Sequence, residues 1–230
     1  MFNNPGQFNT ESDRQGGSLI GNAKTVLNGF TPDYFWDFMN NRAIYTGVDI
    51  GAVTSTPGWT VAGGSLNMTL GTGLVATTQT YSATIPTLTA PYTLYAQFIR
   101  GTDSGASEFY LQTFLDSNNR ANLQITSADV LRANNTSGGA ATNVILANPL
   151  AAGATVRKAS MRVQLNNLNG AVGGVAGTAN TSVSVPTSPT SIQFLSNNGA
   201  NFAGSGNILR YAAIFVGTGM SDANQVTLTT

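Results

Sequence analysis

Apolar and polar residues alternate strictly in several windows of the chain. Residues 159–165 read Ala-Ser-Met-Arg-Val-Gln-Leu, and residues 122–126 and 66–70 alternate in the same way. Because successive side chains of a β-strand point to opposite faces of a sheet, this period of two predicts strands with one buried and one solvated face. Such half-buried strands are typical of antiparallel sheets.

Three other windows are apolar on both faces, namely Tyr92–Ile99, Phe109–Leu115 and Ile208–Val216. A strand that is covered on both sides belongs in the middle of a sandwich. We therefore predict that these windows form the central strands. One face of each would pack on the second sheet, and the other on a loop, an arm or a neighbouring subunit.

Residues with turn chemistry separate the predicted strands. Asp116–Asn119 follows the second apolar window, and Asn169–Gly170 is a strong signal for a type I′ hairpin turn. We also favour a strand over Tyr34–Met39 that turns at Asn40–Asn41 into a second strand. The alternative for this region is a helix that begins after a Thr31 cap.

The first 28 residues lack any apolar period and are rich in Asn, Gln and Gly. This composition predicts an extended N-terminal arm (residues 1–28) in front of a single sandwich domain (residues 29–230). The apolar residues of the arm are too sparse to form a core, and we expect them to fill pockets on a partner. They are Phe2, Phe8, Leu19, Ile20, Val26 and Leu27.

The charge content limits the partners of the protein. The chain has 230 residues and 10 residues of each charge sign, so 9% are charged against roughly 25% in ordinary soluble domains. Binding to nucleic acid or to an anionic membrane requires a local excess of Lys and Arg, and we expect neither partner.

Residues 1–15 lack the pattern of a signal peptide, and no apolar run approaches the roughly 20 residues of a membrane span.

The chain contains no cysteine and no histidine. Disulfides, thiolate or imidazole metal sites and histidine-dependent nucleophilic catalysis are therefore excluded. Glycosidases use paired carboxylates, but the two glutamates are Glu11, in the predicted arm, and Glu108, which has no acidic residue two or four positions away. We expect a non-enzymatic protein without a cofactor. Asp103–Gly105 and Asp116–Asn119 could supply oxygens to calcium, but turn formation explains both segments.

Several segments resemble the concanavalin-like, laminin-G-like jelly rolls of tailed-phage virion proteins. They are Phe35–Phe38, Gly58–Thr60, Arg157–Met161, Asn169–Gly170, Ser191–Leu195, Phe202–Ile208 and Met220–Ala223. In that family a Met-Ser-Asp-Ala segment opens a final short helix, which makes Ser221 a helix cap. The resemblance implies an all-β antiparallel β-sandwich of the concanavalin-like jelly-roll type with an extended N-terminal arm.

The resemblance also implies a role in a virion. The leading hypothesis is a capsid decoration or head-fibre subunit that is made in the host cytoplasm. Its arm would attach it to the major capsid protein or another virion protein, and we expect a homo-oligomer such as a trimer. The alternative is a carbohydrate-binding receptor module of a tail fibre or an adhesin, with a host glycan as partner. That site would need an exposed aromatic platform, for which the candidates are Trp36, Trp59, Tyr81 and Tyr110. Core packing is the competing interpretation of each.

Overall fold

The computed structural model describes residues 19–75, 78–197, 200–201 and 206–230. Two antiparallel sheets pack face to face in these residues and form a β-sandwich, which confirms the predicted fold class. None of the helices in the described ranges combines the length and apolar character that crossing a bilayer requires.

Sheet A contains the strands β1 (Tyr34–Asp37), β2 (Arg42–Tyr45), β3 (Val48–Gly51), β5 (Met68–Thr69), β6 (Gly73–Val75), β8 (Tyr92–Ile99), β13 (Val156–Val163), β14 (Asn169–Val172), β15 (Val175–Ala176) and β19 (Ile208–Val216). Their order is β15-β14-β13-β8-β19-β1-β2-β3, with β6 also paired to β19 and β5 to β6.

Sheet B contains the strands β4 (Thr60–Ala62), β7 (Thr80–Thr84), β9 (Glu108–Asp116), β10 (Asn119–Ile125), β11 (Leu131–Ser137), β12 (Ala140–Ala147) and β16 (Ser191–Phe194). Their order is β12-β11-β10-β9-β16-β7-β4. A short hairpin of β17 (Ser196–Asn197) and β18 (Ala200–Asn201) follows β16. The remaining elements are a 3-10 helix (Val53–Ser55) and two α-helices, α1 (Leu19–Val26) and α2 (Asp222–Thr229).

The main core lies between the two sheets. Alternate residues of β8, β19 and β13 project into it from sheet A, and those of β10 and β16 meet them from sheet B. Trp36 of β1 packs edge-on against Phe194 of β16, with 5.1 Å between ring centroids. The three windows that are apolar on both faces become β8, β9 and β19, as predicted.

A second apolar cluster covers the outer face of sheet A. Leu27, which directly follows α1, and Leu228 of α2 pack there with Phe35, Tyr95 and Phe215, all of them buried. The Asn28 side chain ties the two helices together by donating a hydrogen bond of 2.6 Å to the Thr227 carbonyl. The chain's own helices therefore cover the outer apolar face of sheet A. A neighbouring subunit was one predicted cover for such a face, so this face gives no reason to expect an oligomer.

The structure differs from the predicted extended arm at residues 19–28. These residues include α1, in which Leu19 is buried and Val26 packs on the outer cluster, while Ile20 remains 37% exposed. The prediction missed the helix because eight residues carry only two buried positions, Leu19 and Ala23, which is too weak a period to recognise. Phe2 and Phe8 lie outside the described residues, and their role in partner binding stays a prediction.

The predicted hairpin turn at Asn169–Gly170 is wrong. Both residues lie within β14, where Gly170 pairs with Met161 and Asn169 with Arg162. A Cβ atom on Gly170 would lie 2.3 Å from the Ser160 carbonyl oxygen, so the close approach of β13 explains the glycine. The preceding strand, β13, ends at Val163 and not at Leu165 as predicted, and Leu165 is 61% exposed.

Other local predictions are confirmed. The Asp116–Asn119 segment closes the β9–β10 hairpin, and its Asp116 Oδ1 accepts a hydrogen bond of 2.8 Å from the Asn118 amide. Ser221 caps α2, because its Oγ accepts a hydrogen bond of 3.2 Å from the Asn224 amide. The strand over Tyr34–Met39 is realised as β1, which turns into β2.

Candidate functional site

A row of polar side chains crosses the outer face of sheet B from one edge to the other. We call it the amide row. Each member is the direct cross-strand partner of the next, and the members are Asn143, Asn134, Asn122, Gln112, Gln193, Ser82 and Thr60. One residue from each of the seven strands therefore contributes to a single line of amides and hydroxyls.

Strand alternation explains why these side chains face outward. Leu123 and Ala121 of β10 point into the core, so Asn122 between them must point away. In β9 the Leu111 side chain lies in the same core, which leaves Gln112 on the outer face. The register between strands then aligns all the outward residues.

The centre of the amide row is connected by hydrogen bonds. Gln112 Nε2 donates to Gln193 Oε1 at 2.9 Å, and Asn122 Nδ2 donates to Gln112 Oε1 at 3.4 Å. At the far edge the Thr60 and Ser82 hydroxyls lie 2.7 Å apart. These contacts fix the orientation of the central amides.

The other end of the amide row has unused hydrogen-bonding capacity. Asn122 is fully buried, yet within the described residues its Oδ1 accepts no hydrogen bond. The Asn134 and Asn143 side chains form no hydrogen bond with any residue that the structure describes. Since a buried amide oxygen without a partner costs free energy, the Asn122 Oδ1 marks this end of the row as a candidate site.

Exposure divides the amide row into a covered centre and an open end. Gln112 and Asn122 are inaccessible, whereas Asn143 is exposed. Asn197 of the short hairpin contacts the same sheet face, because Arg120 Nη1 of β10 donates a hydrogen bond of 2.7 Å to Asn197 Oδ1. Asn134 of β11 is only 6% exposed, so the open end lies at Asn143 on β12.

Two arginines bracket the open end. Arg120 pairs with Thr136 one step to one side of the Asn122–Asn134 pair, and Arg132 pairs with Gln124 one step to the other side. Arg132 Nε and Nη2 both donate to Gln124 Oε1, at 3.3 and 3.2 Å. Burial lowers the pKa of both guanidinium groups, because it removes part of their hydration. An arginine still remains charged at neutral pH.

The predicted aromatic platform is not present. Trp36, Tyr81 and Tyr110 are fully buried in the main core, where Trp36 Nε1 donates to Thr56 Oγ1 at 3.1 Å. Trp59 is half-buried and packs against Phe194 with 5.7 Å between ring centroids. Core packing is thus the correct interpretation of all four, because large aromatic surfaces are best removed from water.

Glu108, the glutamate outside the predicted arm, lies in a buried ionic cluster at one end of the sandwich. Its Oε2 accepts a hydrogen bond of 3.1 Å from Arg100 Nε, and its Oε1 accepts one of 3.1 Å from the Ser104 hydroxyl. Arg100 also contacts Asp103 at 3.0 Å and Asp129 at 2.7 Å. Arg100 thus holds these three carboxylates in a structural tie.

The two segments that could have supplied oxygens to calcium both form turns. Asp103 Oδ1 accepts a hydrogen bond of 2.8 Å from the Gly105 amide, as Asp116 does from Asn118. Within the residues that the structure describes, no group of three or more acidic side chains is placed to hold a metal ion.

The sequence contains a signal for the amide row that the pattern of apolar residues does not convey. The outward positions of β10 read Arg120, Asn122 and Gln124, and those of β11 read Arg132, Asn134 and Thr136. A solvated strand face more commonly carries lysines and glutamates than amides. In residues 122–126 the apolar side chains predict the strand, and the polar side chains between them form part of the site.

Comparison with known proteins gives a likeness in fold alone. No family model and no curated protein matches the sequence. Among solved structures, the Ruminococcus gnavus IT-sialidase CBM40 bound to α2,3-sialyllactose matches with a TM-score of 0.51 at 11% identity, over 62% of this chain and 84% of that one. The Trypanosoma rangeli sialidase in complex with sialic acid matches with a TM-score of 0.57 at 11% identity, over 85% of this chain but only 32% of that one. The fold is therefore a β-sandwich of the jelly-roll type that is shared with a CBM40 and with sialidases.

Proposed function

We propose that this chain is a non-catalytic carbohydrate-binding module whose ligand lies on the outer face of sheet B, at the open end of the amide row. The observation that carries the proposal is that Asn134 and Asn143, cross-strand partners at one register, hold side-chain amides that form no hydrogen bond with a described residue. A carboxamide offers both a donor and an acceptor, as a sugar hydroxyl does, so adjacent amides can bind adjacent hydroxyls.

Apolar contact is available beside these amides. Ile145 of β12 is the cross-strand partner of Arg132 and is 54% exposed on the same face. An exposed isoleucine next to polar groups can pack on the C–H face of a sugar ring, since ligand sites combine apolar surface with a few placed polar groups. The shared fold with a CBM40 that was solved with sialyllactose agrees with this function.

Asn134→Ala tests the site without disturbing the fold. The Asn134 side chain makes no hydrogen bond to a described residue, so its removal should leave the thermal midpoint close to that of the unmodified protein. We expect binding to the best ligand of a glycan panel to weaken about tenfold, because hydrogen bonds to the sugar are lost. Titration calorimetry measures this loss.

Asn224→Ala is the matched control, because Asn224 is exposed on α2, which covers sheet A. It should not change glycan affinity. Equal affinities of the Asn134→Ala variant and the unmodified protein would remove the amide row from the ligand site. The absence of any bound glycan at millimolar concentration would contradict the function itself.

Residence on a virion stays a prediction. No structural observation favours a capsid decoration over a receptor module of a fibre or an adhesin. A glycan-binding face fits the receptor module better, because a capsid decoration needs no such site.

A further inference from the structure

We propose that the ligand of the amide row is an acidic saccharide whose carboxylate binds Arg132. This inference rests on the proposed function, because it names the class of sugar that the same site selects. It follows from the charge, the contacts and the half-buried position of one side chain.

The face around the open end is cationic although the protein as a whole has no net charge. The outward positions of β10, β11 and β12 include Arg120 and Arg132 but no acidic residue. The chain has 10 basic and 10 acidic residues, so this local excess departs from the overall balance. An anion that approaches this face meets attraction without a competing carboxylate from these three strands.

Arg132 is held in place but retains donors for a ligand. Gln124 Oε1 accepts from both Nε and Nη2, which orients the guanidinium plane. No acidic side chain of the described residues lies within ion-pair distance of Arg132, and its Nη1 donates no hydrogen bond to them. A planar guanidinium with unused donors matches the geometry of a carboxylate.

Other arginines of the chain serve the fold itself. Arg100 and Arg162 are buried and pair with Glu108 and Asp222, at 3.1 and 2.9 Å. Arg132 differs because a neutral amide is its partner, although burial has already removed part of its hydration. A carboxylate that binds there gains a charge-assisted hydrogen bond.

The neighbouring residues fit the rest of an acidic sugar. Asn134 lies two positions from Arg132 on the same strand face, and Asn143 is its cross-strand partner. These amides can bind ring hydroxyls while Arg132 binds the carboxylate.

The test compares pairs of saccharides that differ only in charge. The pairs are α2,3-sialyllactose with its methyl ester, and tetragalacturonate with its methyl ester. We expect the unmodified protein to bind the charged member of at least one pair about tenfold more tightly than the neutral member, and this preference should shrink as salt is raised. Arg132→Gln should abolish this preference, because the glutamine side chain carries no charge.

Two further variants complete the design. Arg132→Lys keeps the charge but loses the planar fork, so it should retain a reduced preference, and it also serves if Arg132→Gln does not fold by circular dichroism. Arg157→Gln on β13 of sheet A is the matched control and should bind like the unmodified protein.

The possible failures are distinguishable. If charged and neutral members bind equally well, the acidic-sugar inference is overturned and the carbohydrate-binding function stands. If the preference survives in the Arg132→Gln variant, the assignment to Arg132 is overturned. If no member of any pair binds, and no other glycan of a broad panel binds, the proposed function fails together with the inference.

Discussion

Arg100 and Glu108 form an ion pair that is removed from solvent. Arg100 Nε lies 3.1 Å from Glu108 Oε2, and the two side chains are 1% and 0% exposed. Arg100 Nη1 also donates a hydrogen bond of 2.6 Å to the Leu150 carbonyl. One side chain at the end of β8 thereby connects the start of β9 with the loop that follows β12.

Removal of Arg100 should destabilise the protein strongly. Arg100→Met leaves the Glu108 carboxylate buried without its counter-ion, and we expect a loss of about 3–5 kcal/mol in the free energy of unfolding. Arg42→Met is the matched control, because the Arg42–Asp49 pair is about one-third exposed and should contribute less than about 1 kcal/mol. Urea denaturation measures both, and similar losses would mean that the buried pair has no special weight.

Asp37 should make the stability depend on pH. Desolvation raises the pKa of this buried carboxyl group, although hydrogen bonds from Asn40 partly oppose the shift. Because the folded state resists ionisation, the free energy of unfolding falls as pH rises from the ordinary carboxyl pKa of about 3.9 through the raised value, and stays level above it.

Asp37→Asn removes this titration and retains an amide oxygen that can accept from the Asn40 backbone. We therefore expect its stability relative to the unmodified protein to increase between acidic and neutral pH. Urea denaturation of both proteins across that interval measures the difference. A difference that stays constant, or that changes in the opposite direction, would contradict the shift.

Leu27 should be essential to the fold although the sequence assigns it to an arm. It is fully buried under the outer face of sheet A, so Leu27→Ala should cost about 2–5 kcal/mol of unfolding free energy. Ile20, in α1, is 37% exposed, and Ile20→Ala should cost much less. Thermal denaturation compares the two. An equally small effect of both would indicate that this helical segment is dispensable.

Gly170 should tolerate no side chain. Gly170→Ala would place a Cβ atom 2.3 Å from the Ser160 carbonyl oxygen and 3.0 Å from Leu146 Cδ2, which forces β13 and β14 apart. We expect a loss of several kcal/mol, about 3 or more. Gly173 has a φ of +54° but open space around it, so Gly173→Ala should cost about 1 kcal/mol. If Gly170 were a turn residue with open space instead, the two variants would behave alike under chemical denaturation.

The sequence by itself determined the features that depend on local order along the chain. The central strands β8, β9 and β19, the Asp116–Asn119 turn and the Ser221 cap were all predicted, because each rests on residues within one short segment. Composition restricted the chemistry as well, because a chain without cysteine and histidine has no thiolate or imidazole group in any fold. The all-β class follows from the same local patterns as the strands.

Only the tertiary structure decided which side chains meet. The members of the amide row run from Thr60 to Gln193 and become neighbours through the register of seven strands, which long-range pairing fixes. The same long-range packing placed Leu27 under sheet A and Trp36 in the core, because burial depends on which surfaces the fold brings together. Local periodicity predicts that Asn122 faces away from the core. It cannot predict that Asn134, Asn143 and Arg132 lie near it on the neighbouring strands.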